Sequence, residues 1–201
     1  MKKMIWLTVL FVLALVFVAP VFLSLSLSMT PANIQPGYDP GIRLSIYRDR
    51  VFTQKFVSGA QNLTAVGLSI RNPNLKNKAG IIFNLYDSSG NLIRTIAING
   101  QNLEDGSFTK FIFDPIPDSL GRQYEFSLSS PAAGPEETIE VFIIESDKDS
   151  GITEYSYLGE THAGGTPMVA YEKPESKSET VKSVFSSWLS RLLHLDSQKS
   201  E

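Results

Sequence analysis

The sequence predicts an all-β domain, an antiparallel two-sheet β-sandwich, set between an N-terminal transmembrane helix and a C-terminal amphipathic helix. Three observations predict it: an uncharged apolar run at 4–27, alternation of apolar and polar residues over 41–172, and an apolar stripe at helical spacing after 181. A chain of 201 residues has room for one ordinary domain of roughly 100 to 150 residues and some accessory segments. The divisions that follow are an anchor at 1–29, a proline-rich spacer at 30–40, the sandwich at 41–172, a charged linker at 173–180, the amphipathic helix at 181–195 and a tail at 196–201.

The run at 4–27 carries no charge, and Thr8, Ser24 and Ser26 are its polar interruptions. About 24 helical residues at about 1.5 Å each reach roughly 36 Å, enough to cross a hydrocarbon core of about 30 Å with some tilt. Lys2 and Lys3 precede the run and no basic residue follows it before Pro40, so the positive-inside bias leaves the N-terminus cytoplasmic and the rest outside. Pro20 removes one helical hydrogen bond and allows a kink, which a membrane helix tolerates. A cleaved export signal is the alternative, because Ser26-Leu27-Ser28 has the small-x-small form of a cleavage site. The length of the apolar run, well beyond the roughly 7 to 15 residues of a signal core, favours a retained anchor. The three prolines and one glycine of 30–40 read as an extended spacer that holds the domain off the lipid.

Over 41–172 the alternation has the period of a strand with one buried face. Tyr124-Glu125-Phe126-Ser127-Leu128 is the clearest instance, with Glu125 and Ser127 turned to water. The pattern predicts strands at 43–47, 51–57, 64–71, 80–86, 91–98, 107–113, 122–129, 138–145, 153–158 and 168–172. Short turn-rich segments between them suit a sandwich. Asp87-Ser88-Ser89-Gly90-Asn91 supplies the glycine and Asx residues of a hairpin turn, and Asp114-Pro115-Ile116-Pro117 stops a strand after Phe113. No amphipathic run of helical length separates these strands, which excludes a parallel βαβ arrangement.

Composition excludes several functions. A formal charge of −3 with both signs interspersed gives no field suited to phosphate backbones, so no nucleic acid partner is expected. The absence of cysteine removes disulfides, thiolate metal sites and a cysteine nucleophile, and an exported domain without disulfides points to a prokaryotic cell envelope. The acidic stretch Glu145-Ser146-Asp147-Lys148-Asp149-Ser150-Gly151 lacks the EF-hand frame, so no metal and no cofactor is assigned.

Glu104, Asp105, Asp114 and Asp118 are close in sequence, but glycoside hydrolysis depends on their separation in space. His162 and His194, the two histidines, accompany no nucleophile or zinc motif, and no Gly-x-Ser-x-Gly elbow is present, so no enzyme is expected. Of the aromatic residues that could stack on sugars, Trp6 lies in the anchor and Trp188 in the tail helix. Tyr47, Tyr86, Tyr124, Tyr155, Tyr157 and Tyr171 occupy strand contexts where packing is the commoner role.

Gln54-Lys55-Phe56, Leu63-Thr64-Ala65-Val66-Gly67, Leu85-Tyr86-Asp87-Ser88-Ser89-Gly90 and the stretch 113–126, with 155–171 and its Gly159, Gly164 and Gly165, form a pattern. It resembles the jelly-roll, carbohydrate-binding-module-like sandwiches of membrane-anchored bacterial envelope proteins. The resemblance implies a non-catalytic binding or accessory module, for envelope glycans or a neighbouring membrane protein, and transfers no individual binding residue.

Beyond the charged linker, Val181, Val184, Phe185, Trp188, Leu189, Leu192 and Leu193 recur at helical spacing, with serines and Arg191 largely opposite. Too short and too polar to span, this stripe is expected to lie in a membrane interface or against a partner. Two further functions stay open: a pilin-like assembly subunit with an exposed β head, although a processed glycine-phenylalanine start with a following glutamate is absent, and a surface hydrolase.

Overall fold

The computed structural model describes residues 5–11, 18, 21–22, 27–145 and 151–192. They fall into two compact units, one formed by 31–172 and the other by the residues before and after it. The strands are β1 (Thr30–Pro31), β2 (Arg43–Ile46), β3 (Phe52–Val57), β4 (Leu63–Arg71), β5 (Gly80–Asp87), β6 (Leu92–Asn99), β7 (Ser107–Ile116), β8 (Gln123–Ser129), β9 (Ile139–Phe142), β10 (Ile152–Tyr157), β11 (Glu160–Ala163) and β12 (Met168–Glu172). The helix α1 is Lys177–Leu192.

The strands make two antiparallel sheets. Sheet A has the order β1-β12-β4-β9-β2, with β7 on the other side of β4, and sheet B the order β11-β10-β3-β8-β5-β6. The chain changes sheet at almost every connection, and the hairpins β5–β6 and β10–β11 are the exceptions within sheet B. Such crossing is what lets alternating sequence build one core, because each strand turns its apolar face to the opposite sheet.

The core is aromatic at its centre. Phe83 of β5 stacks at 4.5 Å on Phe111 of β7 and at 5.3 Å on Phe126 of β8, which joins the sheets through one ring stack. Phe52 and Phe56 of β3 pack on Phe126 from the other side, and Tyr124 and Tyr155 close the cluster. Gln54 stands between them on the same inner face of β3. Its Oε1 accepts from the Thr166 amide at 2.6 Å and its Nε2 donates to the Thr166 carbonyl at 3.4 Å. A Cβ on Gly165 would fall on this amide, so the glycine lets the 164–166 segment press against Gln54.

Three departures from the sequence expectations have physical causes. β7 continues to Ile116 through Pro115 instead of stopping at 113. It is bonded on one side, to β4, and its register shifts between Ile112 and Ile116, where a proline is accommodated as in other edge strands and bulges. Thr64 donates to the Phe113 carbonyl at 2.9 Å in that bulge. β11 was not expected, because Glu160-Thr161-His162-Ala163 is exposed throughout and shows no apolar alternation. α1 opens at Lys177, inside the stretch taken as linker, because Ser176 Oγ accepts from the Glu179 amide at 3.3 Å while Glu179 accepts from the Glu175 amide at 3.0 Å.

Residues 31–40 are extended, and they are also tied down. Asn33 donates to the Met168 carbonyl at 3.0 Å and accepts from the Ala170 amide at 2.7 Å, Gln35 donates to Ser69 Oγ at 2.7 Å, and Tyr38 stacks on Phe142 at 4.5 Å. This stretch therefore lies along sheet A as part of the domain.

Within the unit that holds both chain ends, residues 5–11, 18 and 21–22 are helical, and large apolar side chains there are exposed, Trp6 at 69%. Among the described residues no helix is long and apolar enough to cross a membrane; the rest of the apolar run, 4, 12–17, 19–20 and 23–26, lies outside them.

Candidate binding surface

The outer faces of the two sheets differ in what covers them. On sheet A, β4 is buried on both sides. Its inward residues Val66, Leu68 and Ile70 enter the core. Its outward Gly67 lies beneath the Phe108 and Tyr171 rings, its outward Ser69 beneath Gln35, and Lys110 places its ammonium 4.4 Å from the Tyr171 ring centre. Sheet B has no such cover among the described residues, and its outer face presents polar side chains in rows set by strand register.

The first row crosses all six strands. Thr161 of β11 is opposite Ser156 of β10, Ser156 opposite Thr53 of β3, Thr53 opposite Ser127 of β8, Ser127 opposite Asn84 of β5, and Asn84 opposite Thr95 of β6. Each is uncharged and each can both donate and accept. Neighbours are already linked: Ser156 and Thr161 hydroxyls lie 2.9 Å apart, and the Thr95 hydroxyl donates to Asn84 Oδ1 at 2.8 Å. Asn84 Nδ2 donates to Ser127 Oγ at 3.5 Å, and that serine, 6% exposed, forms the floor of the row.

The adjacent row runs Ala163, Glu154, Lys55, Glu125, Tyr86 and Leu92. Lys55 donates to Glu154 at 2.8 Å, and this hydrogen bond, reinforced by the charges of Glu154 and Glu125, holds the ammonium above its ordinary pKa. Beyond this row a shallow cleft of about 380 Å³ opens between Lys55, Gln123, Tyr124 and Glu125 on one side and the β5–β6 turn, residues 87–90, on the other. Asp87 shapes that turn: its carboxylate accepts from the Asn91 side chain and from the Asn91 and Ser89 amides, each at 2.9 Å. The Asn91 side chain is the leading reason that the Asp87 pKa lies below the ordinary carboxylate value.

The catalytic alternatives do not converge. Glu104 and Asp105 precede β7, whereas Asp114 lies near its end and Asp118 beyond it, so the two pairs are separated by about nine strand residues, or roughly 30 Å. Paired glycosidase carboxylates need about 5 to 9.5 Å. Asp105 is instead engaged by Arg71 at 2.7 Å, which lowers its pKa. His162 stacks on Tyr155 at 5.1 Å with Glu160 3.5 Å from Nε2. Among the described residues no group of three or more histidines, aspartates or glutamates could hold a metal, and residues 146–150 of the acidic stretch lie outside them.

The tyrosines divide as their strand positions dictate. Tyr124 and Tyr155 pack into the core, where burial raises their pKa values. The Tyr157 hydroxyl donates to the Ser45 carbonyl at 2.6 Å, and the Arg50 guanidinium lies 4.7 Å over the Tyr47 ring. Tyr86 is the one placed on the outer face of sheet B. Along α1, Val181, Val184 and Phe185 are half-buried and Leu189 is 50% exposed; the side chains of Trp188 and Leu192, and Leu193 altogether, lie outside the described residues.

No protein family and no curated protein matches the chain. Among solved structures it is similar to a family two carbohydrate esterase from Cellvibrio japonicus, with 7% identity, a TM-score of 0.33, and coverage of 71% of this chain and 32% of that one. The chain spans about a third of that protein's length, and a likeness this slight carries no argument about what either part does.

Proposed function

We propose that this protein is a membrane-tethered, extracytoplasmic, non-catalytic binding module of a prokaryotic cell envelope, jelly-roll-like in its sandwich, that presents the outer face of sheet B to an envelope glycan. The observation that carries the reading is the asymmetry of the sandwich: the central strand of sheet A, β4, is covered on its outer side by Phe108, Tyr171 and Gln35, while the central strands of sheet B present polar side chains beside a cleft. Such a face suits a hydroxyl-rich ligand in a partly wet site, where a few polar groups set orientation. The separation of the acidic pairs along β7 supports a role without turnover.

The tether rests on the apolar run at 4–27, on the lysines before it, and on the exposed apolar side chains of residues 5–11, which form the kind of surface that lipid covers. Lys177, in the first turn of α1, donates to the Leu27 carbonyl at 3.3 Å. The start of α1 therefore stands beside the end of the apolar run, and the stripe from Val181 to Leu193 lies in the membrane interface there.

Two measurements test this reading. Full-length protein in detergent micelles, applied to arrayed envelope glycans, should retain glycan without releasing product; product release would make it a hydrolase. Protease added to intact spheroplasts should remove residues 31–172 while sparing cytoplasmic markers, and protection of the domain would overturn the orientation. Filaments in place of glycan retention would assign the exposed apolar helix to self-packing in an assembly subunit.

A further inference from the structure

We infer that the ligand of sheet B is an uncharged, extended polysaccharide that lies across the strands, with its hydroxyls hydrogen-bonded to Thr161, Ser156, Thr53, Asn84 and Thr95 over Ser127 as the floor of the row. This rests on the glycan-binding reading above and adds the ligand's charge, its direction and its length.

Direction follows from register. The row is perpendicular to the strands, and adjacent strands are about 4.8 Å apart, so it offers one hydroxyl or amide per strand at about that repeat. Along any one strand the next outward position belongs to a different chemistry: Lys55 follows Thr53, Glu125 precedes Ser127 and Tyr86 follows Asn84. A ligand running along β3, β8 or β10 would meet Lys55, Glu125 or Glu154 next to the neutral group, and one along β5 would meet Ile82 and Tyr86, whereas one running across the strands meets neutral hydrogen-bonding groups throughout.

Charge selects the polymer. The second row holds Glu154 and Glu125 against Lys55, whose ammonium is already given to Glu154, and Asp87 stands at the cleft. The flank of the hydroxyl row is thus net negative, and it repels a polyanionic chain while leaving a neutral one undisturbed. The row has the matching capacity: a hydroxyl or amide both donates and accepts, as a sugar hydroxyl does, so every strand but β8, whose Ser127 is buried as the floor, can hydrogen-bond the ligand whichever way the sugar hydroxyl turns.

Length follows from strand number. Six strands leave five intervals, about 24 Å from Thr161 to Thr95. Affinity should rise with chain length until the ligand spans this distance and then level off.

The test uses the full chain in detergent micelles, titrated with neutral gluco- and manno-oligosaccharides of two to eight residues and with oligouronates of the same lengths. The neutral series should bind with an affinity that climbs and then levels off, and the uronates should bind more weakly, the gap narrowing as salt is added. Thr53→Val, Thr95→Val and Thr161→Val remove hydroxyls at the middle and both ends of the row while keeping β-branched shape. Each should weaken the longer neutral ligands about three- to tenfold. Ile112→Thr, on the exposed outer side of β7, should change nothing. Neutral binding that the three valine variants leave unchanged, that shows no length dependence, or that the uronates exceed would overturn the row as the site while glycan binding itself stands. Failure of the unaltered protein to bind either series, or any arrayed glycan, would remove the glycan reading and this inference with it.

Discussion

Replacing Gln54 should separate two contributions to the stability of the sandwich. Gln54 is 1% exposed between the core rings Phe52 and Phe56, and its amide satisfies both the N–H and the carbonyl of Thr166. Gln54→Met keeps the volume but leaves those two backbone groups buried without partners, which costs about 1 to 3 kcal/mol. Gln54→Ala adds a cavity beside the Phe52 and Phe56 rings, for a total of about 3 to 5 kcal/mol. The difference between the two variants measures the cavity, and the methionine variant alone measures the lost hydrogen bonds. Urea unfolding of the full chain, followed by far-ultraviolet circular dichroism and tyrosine emission, reports on the domain because Trp6 and Trp188 both lie outside 31–172. A loss below about 0.5 kcal/mol for Gln54→Met would refute the idea that this amide locks the 164–166 segment to β3.

Leu158 holds φ 52° at the tip of the β10–β11 hairpin and is 61% exposed, so Leu158→Asn should stabilise the protein by about 1 kcal/mol, read as a shift in urea midpoint; an unchanged midpoint would show that the turn stores no strain. Gly67→Ala should destabilise by about 1 to 3 kcal/mol in the same assay, because its Cβ would fall on the Phe108 ring packed against Tyr171. The Asp87 pKa is lowered in the folded protein, so whatever stability that carboxylate contributes is present above its unfolded value and is lost as pH falls through the folded one. Asn91→Ala removes the leading cause and should move the Asp87 pKa upward in a carboxyl-carbon NMR titration; no movement would assign the shift to the backbone amides. Val184→Ser with Leu189→Ser should reduce binding of a 173–201 peptide to lipid vesicles by at least about tenfold, and equal binding would take α1 off the membrane.

Strands were legible in the sequence where burial imposes alternation. The expected segments at 51–57, 80–86 and 122–129 each lie within one residue of β3, β5 and β8, since a one-residue slip would turn Phe56, Phe83 or Phe126 to water. The same argument explains the omissions. β11 is exposed along its whole length and edges its sheet, so hydrogen bonds to β10 alone define it. The start of α1 was in fact written in Ser176-Lys177-Ser178-Glu179, a capping-box spacing hidden inside a charged stretch.

For the candidate site, alternation marked Ser127 as turned away from the core, and Thr53, Asn84, Thr95 and Ser156 lie in expected strands without being singled out. Local pattern determines which face a side chain takes, because successive residues of a strand point to opposite sides. It does not determine who stands beside whom. Thr161 and Thr95 are 66 positions apart, and they share a row through two hairpins and the three pairings β10–β3, β3–β8 and β8–β5, which join strands remote in sequence. Likewise, the proline-rich composition of 30–40 made the segment extended, but its attachment along sheet A depends on Asn33, Gln35 and Tyr38 meeting β12, β4 and β9. The sequence by itself therefore determined the strands with one buried face and which of their side chains turn inward, a matter of local periodicity. The tertiary structure decided which of the two outer faces remained open and in what order its hydroxyls were aligned, because both depend on long-range register and packing.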